Sequence, residues 1–198
     1  MIQWKAVEPD AKPRDLATVL SRLPLLDALF ATQVLSQAPL VLFTDDARRA
    51  IRTHVATRRE ESGGLLLGTA AAPNSRLSEA MPFPIICVIE AVPSENYEGT
   101  SVSLHMNPSV WTSALPRKDA GLLVVGWFHS HPNLGAFFSG TDRATQRSFF
   151  PNVYSLGYVI DPIRDDHAYF IGPNSAEVEE RHVVTIKSDA ALPELLLC

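Results

Sequence analysis

The chain has 198 residues, of which 46% are hydrophobic and 20% are charged, and its formal net charge is −5. This composition is typical of a globular protein with a buried core and excludes a disordered or fibrous chain. The negative net charge argues against a protein that binds nucleic acid through a basic face.

Residues 1–38 are predicted to form a helical extension ahead of the main domain. Apolar residues recur at helical spacing on both sides of Pro24, which predicts two short helices separated by that proline. The residues with this spacing are Leu16, Val19, Leu20, Leu23, Leu26, Leu29, Phe30 and Val34. We expect this apolar stripe to pack on the domain or to contact a partner protein.

Neither secretion nor membrane insertion is predicted from the sequence. Charged residues between positions 5 and 15 precede any apolar stretch, so we expect no signal peptide there. The apolar region at 16–42 is interrupted by charged residues and a proline, and we expect no membrane span in it. Cys87 and Cys198 are far apart and indicate no disulfide framework, which favours a reducing compartment. We therefore expect a cytoplasmic protein without a membrane partner.

Residues 39–175 have the alternating pattern of a mixed α/β domain. A short apolar run predicts a strand that ends at Thr44, which caps a helix predicted to continue to Glu61. Two glycines then end that helix, and a buried strand begins. Further strands are predicted at 85–91, 101–105, 122–128, 155–161 and 167–171, with helices at 107–115 and 141–150. The C-terminal segment, 176–198, is predicted to contain one strand and a tail.

The segment from His129 to Asp142 concentrates residue types that bind metal ions. Two histidines, His129 and His131, follow a buried strand, and residues two apart on an extended backbone point to the same side. Pro132 then turns the chain, and Asp142 supplies a carboxylate from the first turn of the next helix. Two imidazoles and one carboxylate suit Zn²⁺ and leave the fourth tetrahedral position for water. The pattern therefore predicts a zinc cofactor and a hydrolytic site.

A hydrolytic site also needs a general acid/base, because water loses a proton and the leaving amine gains one. Glu61 is the candidate, since the glycines after it allow the backbone to run close to the strand with the histidines. Each part has a plainer interpretation by itself. A His-x-His pair can be structural, Ser139 and Asp142 can form a helix capping box, and Glu61 can be a solvated carboxylate. The combination favours a catalytic site.

These residues resemble the signature of the JAMM (MPN+, JAB-domain) zinc metallopeptidase family. The matching segments are Glu61, His129-Ser130-His131-Pro132 and Ser139-Gly140-Thr141-Asp142. Segments 61–68, 125–128 and 157–162 also resemble strands of the family, so the resemblance covers about residues 39–172. It implies the α/β class, with a single mixed-sheet MPN/JAB domain that has cytidine-deaminase-like layering. The N-terminal helical extension, which is predicted from its helical spacing, has no counterpart in the resemblance.

The resemblance also implies a role for each matching position. The implied zinc ligands are His129, His131 and Asp142. Glu61 is implied as the general acid/base, and Ser139 as a hydrogen-bond donor to the developing oxyanion. Glu60 is the alternative to Glu61, and the spacing to the following glycines favours Glu61. Every motif position is present, which argues against the metal-free scaffold members of the fold.

Members of this family mostly cleave after the last glycine of a ubiquitin-like protein, so the resemblance implies that substrate. The candidate substrate groove is a predicted strand whose exposed edge could pair with the substrate tail. Its residues are Ser101, Val102, Ser103, Leu104 and His105. The compact domain is similar to bacterial JAB-domain proteins of ubiquitin-like modification and antiviral defence systems, which implies activating or conjugating enzymes as partners. A sulfur-carrier-protein peptidase and a non-catalytic interaction module remain alternatives.

Overall fold

The computed structural model of the chain describes residues 12–56, 58–94, 111–114 and 121–188. Within these ranges the chain forms one mixed sheet flanked by helices, which confirms the predicted α/β class. The predicted groove strand at 101–105 lies outside the described residues. So does most of the helix predicted at 107–115, of which residues 111–114 are helical.

The sheet has nine described strands in the order β8-β7-β6-β5-β3-β4-β2-β9, and β1 pairs with β3. Their bounds are β1 Arg14–Asp15, β2 Leu40–Thr44, β3 Gly63–Ala72, β4 Ile85–Pro93, β5 Leu123–Ser130, β6 Leu156–Asp161, β7 Asp166–Ile171, β8 Ala176–Val178 and β9 Val183–Ile186. Strand β3 is antiparallel to β4 and β5, whereas β5 and β6 are parallel. The helices are α1 Leu16–Arg22, α2 Leu25–Leu35, α3 Asp45–Ala56 and α4 Gly140–Phe149.

Helix α3 begins as predicted but ends earlier than predicted. The backbone N–H of Ala47 donates a 3.2 Å hydrogen bond to Thr44 Oγ1, so Thr44 caps the helix. The helix ends at Ala56, and Glu61 lies beyond it, just before β3. The prediction that Glu61 ends the helix is therefore wrong. The apolar face of α3 stops at Val55, and the next position on that face is Arg59, which is exposed and cannot extend the buried stripe.

The described part of the N-terminal extension, residues 12–38, packs directly on the sheet. Pro24 separates α1 from α2 as predicted, and β1 extends the sheet by pairing with β3. Leu16 and Leu35 are fully buried in a cluster with Leu42 and Cys87 of the sheet. Residues before and after position 38 thus share one core cluster. The division into two domains at that position stays a prediction.

The face that α2 buries differs from the predicted stripe. Leu26, Leu29 and Phe30 are exposed, and the helix turns Ala31 and Leu35 inward instead. Apolar residues occur all around α2, so their spacing could not identify the buried face. No helix in the described part of the chain is long and apolar enough to cross a membrane.

Strand β5 lies inside the sheet, and its side chains pack in the core clusters on both faces of the sheet. Phe128 packs in the cluster that contains the apolar face of α3, whereas Trp127 packs in the cluster of the opposite face. This alternation follows from the two-residue period of a strand. It places the next residue, His129, on the same face as Trp127, towards α4.

Candidate metal centre

The end of β5 brings both histidines of the His-x-His pair to one side of the sheet. His129 lies within the strand, paired in register with Val159 of β6, and is fully buried. His131 follows the strand directly, and its backbone N–H donates a 2.9 Å hydrogen bond to the carbonyl oxygen of Ile160. The parallel pairing with β6 therefore continues past β5 and fixes the backbone at both histidines.

Both imidazoles direct Nε2 towards the carboxylate of Asp142. The two Nε2 atoms are 3.1 Å apart, Nε2 of His129 is 3.3 Å from Asp142 Oδ1, and Nε2 of His131 is 3.8 Å from Asp142 Oδ2. Ligands about 2.0 Å from a tetrahedral Zn²⁺ stand about 3.3 Å from one another, so these separations fit such an ion. The three buried side chains are therefore a donor set that could hold a metal.

Packing orients the ring of His129. The Trp127 indole stacks on it, with ring centroids 4.6 Å apart and planes 6° from parallel. Nδ1 of His129 is buried and has no hydrogen-bond partner among the described residues. Trp127 is in turn held by α4, because its Nε1 donates a 2.6 Å hydrogen bond to Gln146 Oε1.

Gln146 was not identified as a site residue from the sequence. Its side chain is fully buried, and its Nε2 donates to the carbonyl oxygen of Ser155 at 2.9 Å, which ties α4 to the start of β6. Asp142 and Gln146 are four residues apart on α4 and are its two buried residues. This spacing was a usable signal, since positions i and i+4 share one helix face.

Ser139 and Asp142 form the capping box that the sequence left open as an alternative. Ser139 Oγ accepts a 3.2 Å hydrogen bond from the Asp142 N–H, and Asp142 Oδ2 accepts one of 2.7 Å from the Ser139 N–H. Asp142 Oδ1 still faces His129, so capping and membership of the donor set coexist. Burial opposes ionisation of Asp142, but interactions with His129 and Ser139 more than offset it and lower its pKa to about 2.

Glu61 enters the centre from the segment before β3. Its side chain is buried, with Oε1 3.7 Å from Nε2 of His131, whereas Glu60 is exposed. Burial raises the pKa of Glu61 above its ordinary value; His129 acts in the lowering direction and Asp142 in the raising direction. Burial also lowers the pKa of His131, and His129 adds to that decrease. Between the two neighbouring glutamates, the structure brings only Glu61 into the cluster.

An aromatic side chain borders the centre on its exposed side. The Phe137 ring lies 4.9 Å from the His131 ring, centroid to centroid, and remains 47% exposed. Phe137 belongs to the loop between His131 and Ser139, and it was not singled out as a site residue from the sequence. No periodic pattern marks such a position, because its importance arises from tertiary contact with His131.

The residues that build this centre lie within a match to a known protein family. The family described as prokaryotic homologs of the JAB domain matches residues 44–179, more than half of the chain. A 71-residue segment is 37% identical to Ubiquitin carboxyl-terminal hydrolase RPN11 of Saccharomyces cerevisiae, covering 33% of this chain and 23% of that protein. A 46-residue segment is 48% identical to COP9 signalosome complex subunit 5 of Eremothecium gossypii, covering 22% of this chain and 11% of that protein. The chain thus matches less than a quarter of the length of each of these relatives.

The fold has a counterpart among solved structures. A protein from Desulfitobacterium hafniense, solved in solution, superposes with a TM-score of 0.56 at 19% sequence identity. The match covers 75% of this chain and 94% of that one. The mixed sheet is thus shared, and the family match extends over nearly the whole region from β2 to β8. The chain belongs to the family of prokaryotic homologs of the JAB domain.

Proposed function

We propose that the protein is a zinc-dependent peptidase or isopeptidase that cleaves after the C-terminal glycine of a ubiquitin-like protein. One observation carries this proposal: the buried Glu61 carboxylate lies 3.7 Å from Nε2 of His131, within a His-His-Asp donor set. A structural metal site has no need of a further carboxylate beside its ligands, whereas a hydrolytic site requires one.

Zn²⁺ is the ion that this donor set suits best. His129, His131 and Asp142 would hold it through two imidazole nitrogens and one carboxylate oxygen, the ligand types of catalytic zinc sites. When bound, Zn²⁺ would supply Lewis acidity and lower the pKa of water to about 7. The low pKa of Asp142 keeps this carboxylate ionised, and therefore able to bind a cation, at neutral pH.

Glu61 is proposed to move the proton. Its Oε1 would accept a proton from the attacking water and then deliver that proton to the leaving amine nitrogen. Burial raises the pKa of Glu61, which makes the carboxylate a stronger base than an exposed glutamate. The general base and the general acid of the reaction are thus the same residue.

Ser139 is proposed to stabilise the oxyanion of the transition state. Its Oγ uses a lone pair to accept the N–H of Asp142 in the capping box. The hydroxyl hydrogen remains available to donate to the carbonyl oxygen of the scissile bond. A donor aimed at that oxygen contributes most when negative charge develops there.

The substrate class is supported by the family and by the yeast relative, which is a ubiquitin carboxyl-terminal hydrolase by name. We place the protein in the cytoplasm, within a bacterial ubiquitin-like modification system such as an antiviral defence system. Activating or conjugating enzymes would be its partners. Residues 101–105 are the proposed strand that pairs with the substrate tail. A sulfur-carrier-protein peptidase would use the same chemistry on a different substrate, and a non-catalytic module would bind zinc without cleavage.

The proposal is tested with the purified protein and a ubiquitin-like protein that carries a C-terminal extension after its last glycine. We expect cleavage at that glycine, loss of cleavage in a chelator and recovery on addition of Zn²⁺. Elemental analysis should give one zinc per chain, which His131→Ala should lose and the control His182→Ala should retain. Cleavage restricted to a sulfur-carrier precursor would favour the first alternative. Full zinc content without any cleavage would favour the non-catalytic module.

A further inference from the structure

The carboxylate of Asp161 accepts backbone hydrogen bonds from the loop that joins His131 to Ser139. Asp161 ends β6, beside the end of β5, and its side chain is fully buried. Its Oδ1 accepts a 2.9 Å hydrogen bond from the N–H of Asn133, and its Oδ2 accepts one of 2.8 Å from the N–H of Gly135. Two backbone groups of the loop are thus fixed by one side chain from another strand.

The same carboxylate organises the turn between β6 and β7. Oδ1 of Asp161 also accepts the N–H groups of Ile163 at 2.9 Å and of Arg164 at 3.2 Å. The Arg164 guanidinium reaches back and donates a 2.8 Å hydrogen bond to the carbonyl oxygen of Asn133. Loop 132–138 and this turn therefore form a single hydrogen-bonded unit with Asp161 at its centre.

Two residues of the loop have positive φ angles that suit their types. Asn133 has φ of 63° and Gly135 has φ of 90°, and asparagine and glycine adopt this left-handed region more readily than other residues. Burial by itself raises the pKa of Asp161, but the four backbone N–H groups more than offset this effect and lower it. The ionised carboxylate is thus available to hold these two residues in place.

We propose that Asp161 is a positioning residue for the metal centre, fixing loop 132–138 so that His131 and Asp142 meet at the separation one ion requires. The inference rests on the proposed zinc site. His131 precedes the loop and Asp142 follows it, so motion of the loop changes the separation of these two ligands. Asp161 is not itself a ligand, and it acts only through the backbone it holds.

The test compares the zinc affinity of the full-length wild-type protein with that of Asp161→Asn, by competition with a chromophoric zinc chelator at fixed pH. Asparagine keeps the size of the side chain but places an NH₂ group opposite backbone donors. We expect the Kd for Zn²⁺ to rise by roughly tenfold or more, the scale seen when groups supporting metal ligands are removed. The matched control is Asp165→Asn, in the same turn, where the exposed Asp165 side chain contacts His167 rather than the loop. Its Kd should stay at the wild-type value.

A stability control distinguishes a loss of loop positioning from a general loss of stability. Ile51→Val shortens a fully buried side chain of α3 in the core cluster opposite the centre. It should lower the melting temperature of the metal-free protein without changing the Kd. If Asp161→Asn lowers the melting temperature but binds zinc as tightly as wild type, the positioning role is overturned and Asp161 is a structural residue only.

A second variant covers the case in which Asp161→Asn does not fold. Arg164→Gln removes the guanidinium that binds the Asn133 carbonyl oxygen, and its side chain is 53% exposed, so folding should persist. We expect a smaller rise in Kd and faster proteolytic cleavage within 132–138. An unchanged Kd for Arg164→Gln and for any folded Asp161→Asn overturns the inference. Failure of the wild-type protein to bind zinc would overturn the proposed function and this inference with it, and is read directly from the wild-type titration.

Discussion

The backbone N–H of Ser62 donates a 3.0 Å hydrogen bond to Oγ of Ser130, and the N–H of Ser130 donates one of 2.7 Å to the Ser62 carbonyl oxygen. Both residues are fully buried, and their hydroxyl oxygens are 3.2 Å apart. Ser62 follows Glu61, and Ser130 lies between the two histidines. These hydrogen bonds therefore link the segment that carries Glu61 to the segment that carries His129 and His131.

Ser130→Ala should lower turnover and stability together. The change removes the acceptor of the Ser62 N–H, and an unpaired buried donor costs about 1–3 kcal/mol. With that tie lost, Glu61 is held less firmly beside His131, so the turnover rate should fall while zinc content stays at one per chain. Thermal unfolding, elemental analysis and the cleavage assay measure these three effects.

Ser62→Ala is the matched control for that prediction. It removes one hydroxyl of the pair but keeps the hydrogen bond from the Ser62 N–H to Ser130 Oγ. We therefore expect a smaller loss of turnover than in Ser130→Ala. Equal losses in the two variants would show that the backbone hydrogen bond is not what positions Glu61.

Glu61→Gln should retain zinc and lose most of the cleavage activity. Glutamine nearly matches the size of glutamate but cannot accept a proton, and general acid/base groups commonly contribute roughly 10²–10⁴-fold to rate. The control is Glu60→Gln, because Glu60 is exposed and lies outside the cluster. Cleavage lost in the control and kept in Glu61→Gln would reverse the assignment of the two glutamates.

Ser139→Ala should lower both the stability and the turnover rate, because Ser139 caps α4 and is the proposed oxyanion donor. Loss of the N-cap costs about 1 kcal/mol of stability. Loss of an oxyanion donor lowers the turnover rate by roughly 10²-fold with little change in KM, because the contact strengthens in the transition state. Asp15→Ala removes the N-cap of α1, distant in sequence from the centre, and should lower the melting temperature at unchanged turnover. A Ser139→Ala protein that behaves like this control would leave Ser139 as a cap only.

The donor set could be predicted because it depends on local geometry. His129 and His131 share a side because a strand has a two-residue period, and Asp142 follows from the helix start that Ser139 signals. Both rules operate over a few residues, which a single sequence displays. The positions of strands β2 to β7 were predicted for the same reason, whereas β1 and β8 were not predicted.

The supporting contacts could not be predicted, because they join segments that are distant in sequence. Asp161 meets Asn133 across 28 residues, and Ser62 meets Ser130 across 68. Neither pair has a periodic pattern, and each depends on which strands become neighbours. The buried face of α2 was missed for a related reason, since the sheet selects one side of a helix that is apolar all around.

The two helices of the N-terminal extension should respond differently to the same substitution. Leu16→Ala opens a cavity among fully buried residues of the cluster shared with the sheet, so the free energy of unfolding should fall by about 2–5 kcal/mol. Leu26→Ala removes the same atoms from a side chain that is 78% exposed, and the change should stay within about 0.5 kcal/mol. Urea unfolding of both variants measures the difference. If Leu16→Ala is as stable as Leu26→Ala, then α1 does not contribute to the core in solution. In that case the extension would be an appendage, and its removal would leave zinc binding intact.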